Sequence, residues 1–202
     1  MLFACSGDRG LCGAIHSSVA KLAKRCAAES PGAQIVVLGD KAKPQVARGA
    51  RHSIALSFSH LGKDIPNFAD AVAICLAAQD TLRPAPAILL VHNAFKSVIA
   101  YEPTLVPVPT VAQLAAAPGL AAYECADPAV LDALAQFLLA ARLFSALVEG
   151  HAAEMAAKRM AMENASKNSD DIVARLTMQY NRTRQSVITN ELVDIITGAS
   201  AL

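Results

Sequence analysis

From Pro128 to Gly198 the chain contains a single internal glycine, Gly150, and no second proline, so nothing local interrupts a helix over the last third of the sequence. Asp127 is placed to cap a first turn, and Pro128 at its start gives up an amide hydrogen that would have no partner there. Gly198 offers a backbone suited to ending the helix. At 1.5 Å per residue such a helix is on the order of 100 Å long, more than a small domain can cover. The remainder must be clothed by something else.

The side chains change along that helix. Leu131, Leu134, Phe137, Leu138, Leu143, Phe144 and Leu147 are dense enough to bury one segment against a domain. From Met155 to Tyr180 the apolar positions thin to a stripe of Met155, Met162, Ile172 or Val173, Leu176 and Tyr180, with Ala165, Ser166 and Ser169 between them. Steps of three and four residues suit a coiled-coil seam, and small residues let a partner helix approach closely. The seam is incomplete and predicts a modest two-helix pairing.

Composition narrows the classes. With 202 residues there is room for one compact domain plus an extended element. A net charge of +1 without long like-charged runs gives no nucleic-acid tether and no polybasic membrane anchor. The longest uncharged run, 103–123, carries Pro103, Pro107, Pro109 and Pro118 and reads as strand, turn and short helix rather than a membrane span. Cys5, Cys12, Cys26, Cys75 and Cys125 contain no C-x-x-C pair and read as reduced, mostly buried thiols of an intracellular protein. The five histidines lack metal-ligand spacing, so the sequence predicts no metal and no cofactor.

In chain order, Leu2 to Cys5 reads as a buried strand and Leu11 to Cys26 as a helix with Leu11, Ile15, Val19, Leu22 and Cys26 on its inner face. Gln34 to Leu38 is a second strand, and alternating Ile54, Leu56 and Phe58 make a third. A helix over about Phe68 to Leu82 turns Phe68, Val72, Cys75 and Leu76 inward and is broken by Pro84 and Pro86. Ile88 to Val91 is a strand, Asn93 a turn, Ser97 to Tyr101 another strand, and Val106 to Val108 its continuation along a sheet edge. This predicts an α/β fold: a Rossmann-like, partly parallel sheet domain over 1–126, with Gly119 to Ala126 as connector, and one very long C-terminal helix over 127–202.

Gly7, Gly10 and Gly13 follow the first strand in G-x-x-G-x-x-G spacing, which departs from both common phosphate-binding patterns. They read as a tight turn allowing close helix-to-sheet packing, although Asp40 does end the second strand. His16 beside Ser17 and Ser18 cannot form a nucleophile-base pair, because neighbouring side chains diverge on a helix. Glu149, Glu154 and Glu163 read as solvated helix positions. No catalytic constellation stands out.

Three stretches of the tail carry a resemblance: Met162-Glu163-Asn164-Ala165-Ser166-Lys167-Asn168, Tyr180-Asn181-Arg182-Thr183-Arg184-Gln185, and Ile188-Thr189-Asn190-Glu191-Leu192-Val193-Asp194-Ile195-Ile196-Thr197-Gly198-Ala199-Ser200. Together they are similar to the C-terminal helix of the gamma subunit of F-type ATP synthase. Asp8-Arg9-Gly10-Leu11-Cys12-Gly13-Ala14-Ile15-His16-Ser17-Ser18 resembles the first strand-to-helix turn of the same subunit in its mitochondrial form. The plastid form's cysteine insertion is not visible.

What the resemblance implies is a non-catalytic rotor in the central stalk, located on the matrix side of the mitochondrial inner membrane. Its antiparallel helix pair turns inside the ring of alpha and beta subunits, its α/β foot rests on the c-ring, and the small stalk subunits, delta and epsilon, attach to it. Proton flow turns the foot and drives ATP synthesis. Arg184, Gln185, Thr189 and Glu191 match family positions that touch the catalytic subunits, and Ile188, Leu192, Ile195 and Ile196 lie at the tip. Lys158 stands where the family usually has arginine, which weakens a bidentate carboxylate contact. The family begins with an N-terminal helix that pairs with the last one, whereas this sequence begins at the first strand. The chain is therefore expected to be a fragment, or to take that helix from another polypeptide. Two readings of other classes stand beside this one, a nucleotide- or thiol-dependent α/β enzyme and a coiled-coil adaptor with no rotary role.

Overall fold

The structure is a computed structural model that describes residues 1–61, 64–82, 85–124 and 127–200. Pro84, Cys125 and Ala126, to which the sequence assigned a helix break, a thiol and the end of a connector, lie outside the described residues. The chain divides into two units, Met1–Met160 and Ala161–Leu202.

The first unit is built on one sheet. β1 (Leu2–Cys5), β2 (Ile35–Leu38), β3 (Ile54–Phe58), β4 (Ile88–Ser97) and β5 (Ala100–Val108) lie in the order β3-β2-β1-β4-β5. β1 is parallel to β2 and β4, β2 is parallel to β3, and only β5 runs antiparallel. α1 (Ile15–Glu29) and α2 (Lys43–Ala50) cover one face; α3 (Phe68–Leu82) and the start of α5 (Pro128–Ser200) cover the other. A short helix α4 (Val111–Ala115), capped by Thr110 and Gln113 on each other's amides, follows β5.

Two covered faces explain why β1 and β2 are buried along their whole length. Alternate side chains leave a strand on opposite sides. Phe3, Cys5, Val36, Leu38 and Leu90 therefore meet Ala71, Ile74, Leu139, Leu143 and Leu147. Leu2, Ala4, Ile35 and Val37 meet Val19, Ala20, Ala23 and Val46. Among the described residues α5 is the one helix long and apolar enough to cross a membrane, its most apolar window averaging a hydropathy of 1.6. Burial of Leu139, Leu143 and Leu147 beneath the sheet accounts for that apolar run.

The predicted fold class holds, with four local corrections. The first helix begins at Ile15 rather than Leu11, which sits 75% exposed at φ 63° in the turn, and Leu22 is only half-buried. α3 has the predicted bounds but buries Ala71, Ile74 and Ala78, leaving Phe68 and Leu76 exposed. Small residues bring that helix close to the sheet, and the larger ones line the groove between α3 and α5. Asn93 is no turn: β4 runs through it to Ser97 and pairs with β5 as a hairpin. Its buried amide donates from Nδ2 to the Ile15 carbonyl at 2.8 Å and accepts at Oδ1 from the Ser18 hydroxyl at 2.8 Å, tying β4 to the start of α1. α2 was not anticipated. Prolines 103 and 107 sit in the edge strand β5, as expected.

The second unit is the continuation of α5 to Ser200. Every described residue from Met162 onward is exposed in the chain by itself.

Candidate functional site

In this sheet the order reverses between β1 and β4, and the carboxyl ends of the strands at such a point form a natural crevice. The turn after β1 opens into it. A cleft of about 250 Å³ is lined there by Ser6, Gly7, His16, Asn93, His151 and Glu154 together with residues preceding α3.

His16 organises the turn. Its Nε2 lies 2.8 Å from the Arg9 carbonyl, which can only accept, so Nε2 carries the proton and Nδ1 accepts from the Ser6 hydroxyl at 2.8 Å. Cys12 Sγ is 3.0 Å from the same Nε2, one helical turn earlier in the chain. Burial lowers the His16 pKa and raises that of Cys12, which the nearby Glu154 charge raises further.

Glu154 overturns the expectation of a solvated position. It is 4% exposed, and its Oε1 has no hydrogen-bond partner. Burial raises its pKa, while the positive charges of Arg9 and Lys158 pull it the other way. Its carboxylate occupies the space beside Gly7, so any side chain at position 7 would collide with Glu154 Oε2. A carboxyl group therefore fills the space next to the first glycine, where a phosphate would otherwise lie, and opposes nucleotide binding at this turn by occupying it. Cys12 Sγ, a ring nitrogen of His16 and a carboxylate oxygen of Glu154 lie within 4.8 Å of one another. Sequence reasoning missed this convergence. The C-x-x-x-H spacing from Cys12 to His16 was legible, but the third group comes from α5, far along the chain.

Glu149 is not free in solvent either, since its Oε2 lies 3.3 Å from Nε2 of the buried His92. Glu163 is exposed and pairs with Lys167 at 3.1 Å.

The residues expected to bind partners fall elsewhere. Met155 and Lys158 are half-buried in the first unit. Met162, Ile172, Leu176, Tyr180, Arg184, Gln185, Ile188, Thr189, Glu191, Leu192 and Ile195 are all exposed on α5 in the second unit. Met155, Met162, Ser169 and Leu176 recur every seven residues, and Val173 and Tyr180 each follow that row by four, so they share one helix face. Thr189 donates its hydroxyl to the Gln185 carbonyl at 2.8 Å.

The class defined by this fold is an α/β domain with helices on both sheet faces, whose last helix runs on into a wholly exposed segment carrying an apolar stripe. The ATP synthase family model matches residues 1–202. The chain is 41% identical over 206 residues to the mitochondrial ATP synthase subunit gamma of Pichia angusta, covering 100% of this chain and 75% of that protein. It is 37% identical over 206 residues to the mitochondrial ATP synthase F(1) complex subunit gamma of Rattus norvegicus, covering 100% of this chain and 76% of the rat protein. In structure it resembles a chain of the Euglena gracilis mitochondrial ATP synthase with a TM-score of 0.85 at 20% identity, over 99% of this chain and 71% of that one. The chain belongs to the family of mitochondrial ATP synthase gamma subunits.

Proposed function

We propose that this chain is a rotor element of the ATP synthase central stalk, on the matrix side of the mitochondrial inner membrane, and works by shape and surface contact without bond chemistry of its own. The single observation that carries this reading is the exposure of Met162, Leu176 and Tyr180, at 42%, 58% and 66%, in one continuous stripe on α5. A stripe at coiled-coil spacing costs free energy in water and is stabilised when a second helix covers it. In the proposed assembly that helix lies antiparallel to α5 and belongs to gamma, outside these residues.

Further along α5, Arg184, Gln185, Thr189 and Glu191 contact loops of the alpha and beta subunits, with Ile188, Leu192 and Ile195 as apolar contacts at the tip. Lys158 supplies a point charge where a bidentate fork would grip a carboxylate more firmly. The α/β unit, 1–126 with its packed helix, serves as the foot for the c-ring and the small stalk subunits. Rotation of the foot by proton flow then takes the catalytic sites through different affinities in turn.

Capture on an immobilised alpha-beta hexamer tests the reading, using the chain together with the N-terminal helix of a gamma relative. Stoichiometric retention that falls at least tenfold in an Arg184→Ala, Glu191→Ala double variant supports it. No retention, combined with a stable homodimer by analytical ultracentrifugation, would replace it with the coiled-coil adaptor.

A further inference from the structure

The turn after β1 and the middle of α5 bring a thiol, an imidazole and a carboxylate to one point inside the first unit. Cys12, His16 and Glu154 are 2%, 8% and 4% exposed; the thiol sulfur, a ring nitrogen and a carboxylate oxygen lie within 4.8 Å of one another, with Sγ 3.0 Å from Nε2. Glu154 Oε1 is buried without a partner. Native structures rarely leave such an atom unsatisfied, and a bound ion or water is one of the ways such an atom is satisfied.

We propose that Cys12, His16 and Glu154 bind one zinc-like divalent transition-metal ion, with a fourth position facing the cleft beside His151. The donor set decides the class of ion. Thiolate and imidazole suit zinc and its neighbours, whereas magnesium and calcium require oxygen throughout. Three protein ligands and one open position is a common arrangement for zinc. Bond lengths of about 2.0 to 2.3 Å at tetrahedral angles place the donors roughly 3.3 to 3.6 Å apart. Cys12 Sγ and His16 Nε2, now 3.0 Å apart, need to separate by only a fraction of an ångström.

The protons balance. The ion takes the Nε2 lone pair, so the Nε2–H bond to the Arg9 carbonyl is given up and that oxygen, at 2.8 Å, has to withdraw; the ring proton moves to Nδ1, where the Ser6 hydroxyl oxygen at 2.8 Å turns from donor to acceptor. Cys12 releases its thiol proton, and the thiolate and carboxylate together offset the ion's double charge. Arg9 and Lys158 act on Glu154 from outside the triad and reduce affinity, while Asp8 acts in the opposite sense. Orientation of a ligating histidine by a hydrogen bond to its other nitrogen is the usual supporting shell, and removing it costs about 10- to 100-fold in affinity. Ser6 fills that place here. The bound ion would fasten the β1 turn to α5, independently of any rotary role.

The test is titration of the reduced 202-residue chain with Co²⁺ in the absence of oxygen. The expected result is one equivalent bound with a thiolate-to-cobalt charge-transfer band, displaced by Zn²⁺. Cys12→Ser abolishes the band, Cys26→Ser retains it, and Ser6→Ala weakens binding about tenfold or more. Absence of the band, or its survival in Cys12→Ser, overturns the proposal. If Cys12→Ser does not fold, the unaltered chain decides the matter by mass spectrometry after maleimide labelling. Protection of Cys12 by one equivalent of Zn²⁺ supports the site, and equal labelling with and without Zn²⁺ rejects it.

Discussion

Gly39 shows how tightly single positions are specified near the β1 turn. It sits at φ 91°, and a Cβ there would lie 2.8 Å from backbone atoms of Ser6 and Gly7. Backbone cannot swing aside as a side chain can. Gly32, at φ 82° with open space around it, isolates the conformational part of that requirement. Gly32→Ala is expected to lose about 1–2 kcal/mol in urea unfolding, and Gly39→Ala distinctly more, at least about 2–3 kcal/mol. Cys5 is a second sensitive position, its pKa raised to about 12 by complete burial. Because the unfolded thiol loses its proton near pH 9 and the folded one does not, stability from this group is full below pH 9. It then falls with rising pH by up to about 1.4 kcal/mol per unit. Cys5→Ala should flatten the alkaline decline of the melting temperature. An identical decline in the variant would assign it to other groups.

At the scale of elements, α5 carries two different energetic jobs in one helix. Leu143 is fully buried under the sheet, so Leu143→Ala is expected to cost about 2–5 kcal/mol. Leu176 is 58% exposed, so Leu176→Ala should change the stability of the isolated chain by no more than about 0.5 kcal/mol. Both are read from urea midpoints at constant slope. The helix itself was legible because no proline follows Pro128 and Gly150 is the single glycine before Gly198, and β3 because Ile54, Leu56 and Phe58 alternate. α2 was not legible: its helix buries only Val46, and one apolar anchor sets no period. The inner face of α3 departs from the size of its side chains, because Ala71 and Ala78 allow the close approach that leaves Phe68 outside. Glu154 was misread because nothing in its helical neighbours announces the turn that receives it. Pairwise contacts across more than a hundred residues leave no local pattern in a sequence.

For the molecule as a whole, the unit from Met1 to Met160 holds the core, and the residues from Met162 to Ser200 contribute no buried side chain to it. Amides after Met162 should therefore exchange with deuterium far faster than those of β1 and β2, and slow when a pairing helix is added. Slow exchange throughout α5 in the isolated chain would contradict that division. Extensive alanine replacement beyond Met162 is expected to leave the core of the first unit intact, whatever it does to the contacts proposed for α5. Expression level and melting temperature are blind to damage there, so the health of that segment has to be judged by what it joins.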